Sequence, residues 1–263
     1  MKTLQRSEIR LPQIEGDENL FSRKSLAKDF GGLMNPIVGI EHFELTRDEL
    51  YKYGKDNVYV INYIFDRSAP CYIINASENK RLLIPGSLVF TSQDNRIIPS
   101  EFPNLKGKIV EGLQLVVKLP AKKDKLHFEN LIIEKEQIPE INRGGVRVKV
   151  LSGQTGPITN TIQVINTLTF LHIFLDKGME FEHLAPIKWS VTLMVMEGRM
   201  DFSTSEETIE IEEGMTLSMG NSDVEENLKF TAITPCEIIV VSGIPKFESN
   251  IPTETLYWNP MSF

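Results

Sequence analysis

Short apolar or alternating runs, each cut by turn residues, recur along most of the chain. VYVINYIFD (58–66), CYIINA (71–76), RLLIPGSLVFTS (81–92), GLQLVVKLP (112–120) and GVRVKVLSG (145–153) read as strands. TLTFLHIFLDKG (167–178), WSVTLMVMEGRMDFS (189–203), TIEIEEGMTLSMG (208–220) and KFTAITPCEIIVVSG (229–243) continue the rhythm. Between residues 55 and 245 no segment shows the long three-to-four spacing of a packed helix. LTRDELYKYG (45–54) is the main helical candidate, with Thr46 as N-cap, Glu49 at the capping-box position and Gly54 as the stop. FENLIIEKEQ (128–137) is a second, weaker one.

Many short strands at regular spacing predict a sandwich or small barrel, so the expected class is all-β. The two halves also echo one another. IPGSLVF (84–90) and EEGMTLSMG (212–220) each pair a tight Gly turn with an apolar strand. YIFDR (63–67) and MVMEGRM (194–200) each lead into another strand and then that turn. The pattern predicts an internal duplication, two jelly-roll β-domains joined near residues 130–144.

Composition narrows the function classes. The 263 residues are 41% hydrophobic and 24% charged, enough to bury a sizeable core. With 36 acidic against 28 basic residues the net charge is −8, which argues against a nucleic-acid binder. Arg147 and Lys149, in an alternating strand, are expected on a solvated face. Two cysteines, Cys71 and Cys236, in apolar strands of different halves, read as reduced and buried. No apolar run is long enough to span a membrane, and MKTLQRSEIRLPQIEGDENL carries charges where a signal peptide needs an apolar core. A cytoplasmic protein is expected.

The stretch EGLQLVVKLPAKKDKLHFENLIIEKEQIPEINRGGVRVKVLSGQTGPI (111–158) resembles the pirin family of bicupins. In that family a Glu-Gly-Leu-Gln-Leu strand ending in Leu-Pro precedes the second cupin domain, which opens on Gly-Val-Arg-Val and a Gly-Pro turn. NPIVGIEHFE (35–44), IPGS (84–87), MVMEGRM (194–200) and LYWNPMSF (256–263) fit further family segments in order. The resemblance implies two tandem cupin domains, 1–138 and 139–263, with the C-terminal tail packed back on the first.

Pirins hold one metal ion, usually iron, in the first cupin through a His-x-His pair and a later His-x-Glu pair. Imidazole and carboxylate suit iron, and the one-residue spacing on a strand turns both members of a pair inward. Carried onto this sequence, the first pair falls on Tyr53 and Lys55, and the second on Pro99 and Glu101. No histidine lies between His42 and His127, so a slip in register does not restore the set. The positions corresponding to a second-domain site carry Leu184 and Pro186, with His183 out of step by one. No metal and no cofactor are therefore expected. Lys55 and Glu101 are candidates for an ion pair in place of the metal, the alternative being that Lys55 extends into water.

The remaining histidines have bland readings: His42, His127 and His172 are assigned packing roles, and His183 a solvent-facing place near a barrel mouth. Trp189 and Met194–Met196 fit a second-domain core or pocket wall. The acidic stretches 205–213 and 222–227 read as a solvated face, or as a docking surface for a basic partner. No nucleophile elbow and no phosphate loop is present. The resulting expectation is a pirin-like bicupin that binds a small molecule in the N-terminal pocket or contacts a protein, without catalysis. The alternative is a quercetin dioxygenase-like oxidoreductase with an atypical iron or other divalent ion at Glu101. Neither direct nucleic-acid contact nor a membrane is expected.

Overall fold

The computed structural model describes residues 7–16, 20–31, 33–46, 50–52, 58–75, 77–91, 95–99, 108–118, 131–160, 168–220 and 223–244. Among them nearly every ordered segment is a strand, and all strand pairs are antiparallel. The first half forms a seven-stranded sheet ordered Leu131–Ile133, Leu88–Thr91, Val58–Ile64, Val110–Lys118, Ile37–Leu45, Leu20–Leu26, Gln13–Gly16. A four-stranded sheet of Leu50–Lys52, Asn95–Pro99, Cys71–Asn75 and Lys80–Leu83 closes over one of its faces. The second half repeats the plan. Its large sheet runs Ser7–Arg10, Thr216–Met219, Ser190–Glu197, Cys236–Gly243, Leu168–Leu175, Val146–Ser152, Glu140–Arg143. Its small sheet runs Glu180–Ala185, Glu226–Ala232, Arg199–Ser203, Thr208–Glu212. The outermost strand of the second large sheet, Ser7–Arg10, comes from the opposite end of the chain and pairs with Thr216–Met219.

The duplication extends to individual hydrogen bonds. In the first half Gly86 N–H donates to Ile64 O, and Ile64 N–H to Ser87 O. In the second, Gly214 N–H donates to Val195 O and Val195 N–H to Met215 O. Both glycines adopt positive φ, 90° and 80°, which the tight entry into the strand requires.

Alternate residues of each large sheet supply two different cores. Phe43, Ile64, Val89 and Val110 point toward the small sheet and meet Cys71, Ile73, Leu83 and Ile97 inside the first barrel. The opposite faces of the two large sheets pack on each other. Ile61, Tyr63, Phe65, Leu113 and Leu115 meet Phe170, Met194, Met196, Ile239 and Val241 there, all nearly inaccessible to water. Met194 and Met196 thus belong to the core between the halves, while Val195 faces the second barrel's interior.

Several expectations need correction. Within 45–54, Leu50–Lys52 is an edge strand on Asn95–Ile97, because the small sheet needs that backbone pairing. Within 128–137, Leu131–Ile133 is a strand on Leu88–Phe90, followed by one 3₁₀ turn, Lys135–Gln137, closed by Gln137 Oε1 on Glu134 N–H. The face of Arg147 and Lys149 is not a solvated one, because the first half covers it: Lys149 is 2% exposed and Arg147 half-buried. His183 does not face solvent either. It is buried, its Nδ1 3.0 Å from Thr155 Oγ1. The tail LYWNPMSF lies outside the described residues.

Candidate functional site

Of the positions that the resemblance assigns to the metal, only Pro99 is among the described residues. Pro99 ends the strand Asn95–Pro99, opposite Cys71, and offers no ligand atom. Tyr53, Lys55 and Glu101, and with them the Lys55–Glu101 pair, lie outside the described residues. On the positions that the resemblance assigns, this sequence carries one carboxylate and one phenol where pirins carry three imidazoles and a carboxylate, a donor set that would not fit iron.

Opposite the small sheet, on the large-sheet wall of the first barrel, the structure places polar side chains that the sequence reading did not single out. Lys24, Glu41, Gln114 and Asn62 stand side by side across four adjacent strands, by the registers Lys24–Glu41, Glu41–Gln114 and Gln114–Asn62. They share the face of Phe43, Val110 and Ile64, which is the barrel interior. All four are buried, Gln114 and Asn62 completely. Lys24 Nζ sits 3.5 Å from Glu41 Oε1 and 2.5 Å from Glu15 Oε2, which neutralises this end of the row. Gln114 Nε2 donates to Asn62 Oδ1 at 2.8 Å. That single bond leaves Gln114 Oε1 as an acceptor and Asn62 Nδ2 as a donor, both buried and without partners. A buried polar atom left unsatisfied costs about 1–3 kcal/mol, so the pair suits a ligand or water that offers one donor and one acceptor. An amide at the inward position of an otherwise apolar strand was the available signal in EGLQLVVK (111–118); its link to Asn62 is non-local.

A second polar array crosses the face between the halves. Arg67 donates from Nε to Glu111 Oε2 at 2.6 Å and from Nη2 to Glu111 Oε1, while its Nη1 donates to Glu237 Oε2. Glu237 Oε1 is 2.9 Å from His172 Nε2, and His172 Nδ1 is 3.1 Å from Tyr63 Oη. Burial lowers the His172 pKa and raises that of Tyr63. The partners then fix one arrangement: Tyr63 O–H donates to a neutral imidazole, whose Nε2–H donates to Glu237. Burial works against the Glu237 carboxylate, but hydrogen bonds from His172 and Arg67 hold it below 4.5. On the other side, Glu111 Oε1 is 3.0 Å from His42 Nε2. Burial raises Glu111, yet His42 and Arg67 outweigh it and bring its pKa down to about 2. Lys149 reaches across from the second half to Asp66, at 2.7 and 2.6 Å. His42 and His172 therefore do more than pack, since both belong to an ionic chain that joins the barrels.

No family model matches the chain. It is 21% identical to a putative pirin-like protein of Arabidopsis thaliana over 85% of its own length and 81% of the relative's. A pirin-like protein of Caulobacter vibrioides is 28% identical over 61% of this chain, and pirin of Homo sapiens 24% over 53%. The chain spans 57% and 48%, about half, of the length of these two relatives. Quercetin 2,3-dioxygenase of Acinetobacter baumannii superposes with a TM-score of 0.75 at 14% identity, covering 93% of this chain and 88% of that one. A bacterial pirin of Escherichia coli in complex with nickel(II) gives 0.64 at 11% identity, covering 92% and 100%. Among the described residues no helix is long and apolar enough to cross a membrane. Paired β-barrels with a repeated Gly turn, the 111–158 motif and pirin relatives in plants, bacteria and mammals converge on one conclusion: this chain is a bicupin by fold and is similar in sequence to pirins and pirin-like proteins.

Proposed function

We propose that this pirin-like bicupin binds a small hydroxylated carbonyl compound in its N-terminal barrel and does not oxidise it. The observation that carries the reading is the Gln114–Asn62 pair, which presents one unpartnered acceptor beside one unpartnered donor in a buried wall. A hydroxyl next to a carbonyl supplies the complementary donor and acceptor, and it displaces no existing hydrogen bond. Oxygenation of such a compound needs a redox metal at the barrel's ligand positions, where Tyr53, Lys55 and Pro99 replace imidazoles. In this reading the protein acts by binding, with a regulatory contact to another protein as the outlet of the bound state, in the cytoplasm and without direct contact to nucleic acid.

The opposing reading is a flavonol dioxygenase with an atypical ion at Glu101, favoured by the fold likeness to a protein described as quercetin 2,3-dioxygenase. Quercetin carries adjacent hydroxyl and carbonyl groups, so it is a suitable probe for both readings. Titrating quercetin against the full chain should give saturable quenching of its intrinsic fluorescence. Gln114→Leu or Asn62→Leu should weaken binding at least tenfold, about 1.4 kcal/mol. Binding unchanged in both variants would remove the pair from the proposed site.

A further inference from the structure

We propose that His42, Glu44 and Glu111 form a binding site for one divalent first-row cation on the face between the two barrels, separate from the barrel interior. One ligand atom from each lies within 4.8 Å of the others. Metal–nitrogen and metal–oxygen bonds of roughly 2.0–2.2 Å bring ligand atoms to about 3–4 Å from one another, so side-chain adjustments alone close the site. The backbone already sets the directions. Glu44 and Glu111 are directly opposite on antiparallel strands, and His42 precedes Glu44 by two residues on the same face.

The charge pattern calls for a cation. Like charges directly opposite on neighbouring strands repel, and Glu44 has no ion-pair partner among the described residues. Arg67 pairs with Glu111 and Glu237, and Arg23, opposite His42 on the next strand, pairs with Glu213, so neither guanidinium forms an ion pair with Glu44 among the described residues. Lys135, Arg147 and Lys149 are instead gathered on Asp66. His42 is 4% exposed, its Nε2 is 3.0 Å from Glu111 Oε1 and its ring stacks on Phe65, so the imidazole is held beside the carboxylates, with Nδ1 buried and without a partner. One imidazole with two carboxylates is a donor set for zinc, manganese, iron or nickel in the divalent state.

Arg67 is the competitor, since it bonds both Glu111 oxygens. A cation on Glu111 Oε1 displaces the Nη2 contact and the His42 bond there, while the guanidinium keeps Glu111 Oε2 through Nε and Glu237 through Nη1. Glu44 is partly exposed and Arg67 nearly half so, which gives an entry path from solvent.

The test is calorimetric titration of zinc chloride into the chelator-treated full chain, with metal analysis after dialysis. One equivalent should bind saturably and raise the melting temperature. Glu44→Gln should cut the affinity at least tenfold, and because the Glu44 carboxylate makes no ion pair among the described residues the variant should fold as the parent does. His42→Gln, which keeps a donor toward Glu111, should do the same, whereas Glu101→Gln should leave binding unchanged. Absence of saturable binding, or unchanged affinity in Glu44→Gln, overturns the site. Loss of binding in Glu101→Gln with retention in Glu44→Gln would instead put the ion in the barrel, against both this inference and the metal-free reading above.

Discussion

Replacing either partner of the Lys149–Asp66 pair should destabilise the protein by clearly different amounts. Lys149 is 2% exposed, and both Asp66 oxygens lie within 2.7 Å of its ammonium. Asp66 is 25% exposed and also has Lys135 at 3.4 Å and Arg147 at 3.5 Å. In Lys149→Met the carboxylate keeps two cations and some water, so the loss should be about 2 kcal/mol. In Asp66→Asn a fully buried ammonium loses the one carboxylate that pairs with it among the described residues, which should cost about 3–5 kcal/mol. For a chain of this size each kcal/mol lowers Tm by roughly 2–4 °C, so urea and thermal unfolding both resolve the difference. Burial raises the Asp66 carboxyl, but hydrogen bonds and charge from Lys149 and Lys135 hold its pKa below the ordinary 3.8. That stabilisation is present above pH 3.8 and is lost as pH falls through the folded value; Lys149→Met should shrink this acid-linked part. Equal costs for the two variants, or both below about 0.5 kcal/mol, would refute the argument.

Burial holds His183 at a pKa of about 4, against 6.5 when unfolded, so it folds neutral. Stability should then be full above pH 6.5 and fall by roughly 3 kcal/mol as pH drops to the folded value, a loss that His183→Gln should abolish in a pH series of melting curves. Gly112→Ala should prevent folding or cost more than about 3 kcal/mol, because the new Cβ would lie 2.5 Å from Tyr63 O and 2.7 Å from Phe43 Cζ. Soluble, cooperative expression of that variant would contradict the close approach. Burial pushes the Cys71 thiol up to about 12 and raises Cys236 as well, so neither should react with Ellman's reagent until urea unfolds the chain.

Strand rhythm and the repeated Gly turn made the all-β duplicated fold legible, since both are local. What local pattern cannot express is how the halves meet. GVRVKV alternates as a half-wet strand does, yet its polar face is covered by the other barrel, and Lys149 is buried through a partner 83 residues away. The 45–54 helix fails for a similar reason: a plausible cap and stop lose to the pairing that the edge of the small sheet supplies. At the site, Tyr53, Lys55, Pro99 and Glu101 came from family resemblance alone. Glu41, Asn62 and Gln114 meet only through strand register, and no spacing along the chain announces that row. The Arg67 bridge was hidden likewise, because Glu111 and Glu237 belong to different halves.

The central claim, a pirin-like barrel proposed to bind without oxidising, is tested most directly by oxygen consumption with quercetin and one equivalent of ferrous iron under reducing conditions. The account predicts no uptake above the protein-free blank at any quercetin concentration. Saturable, protein-dependent uptake that disappears in Glu101→Ala would contradict it and establish an oxygenase centre in the first barrel.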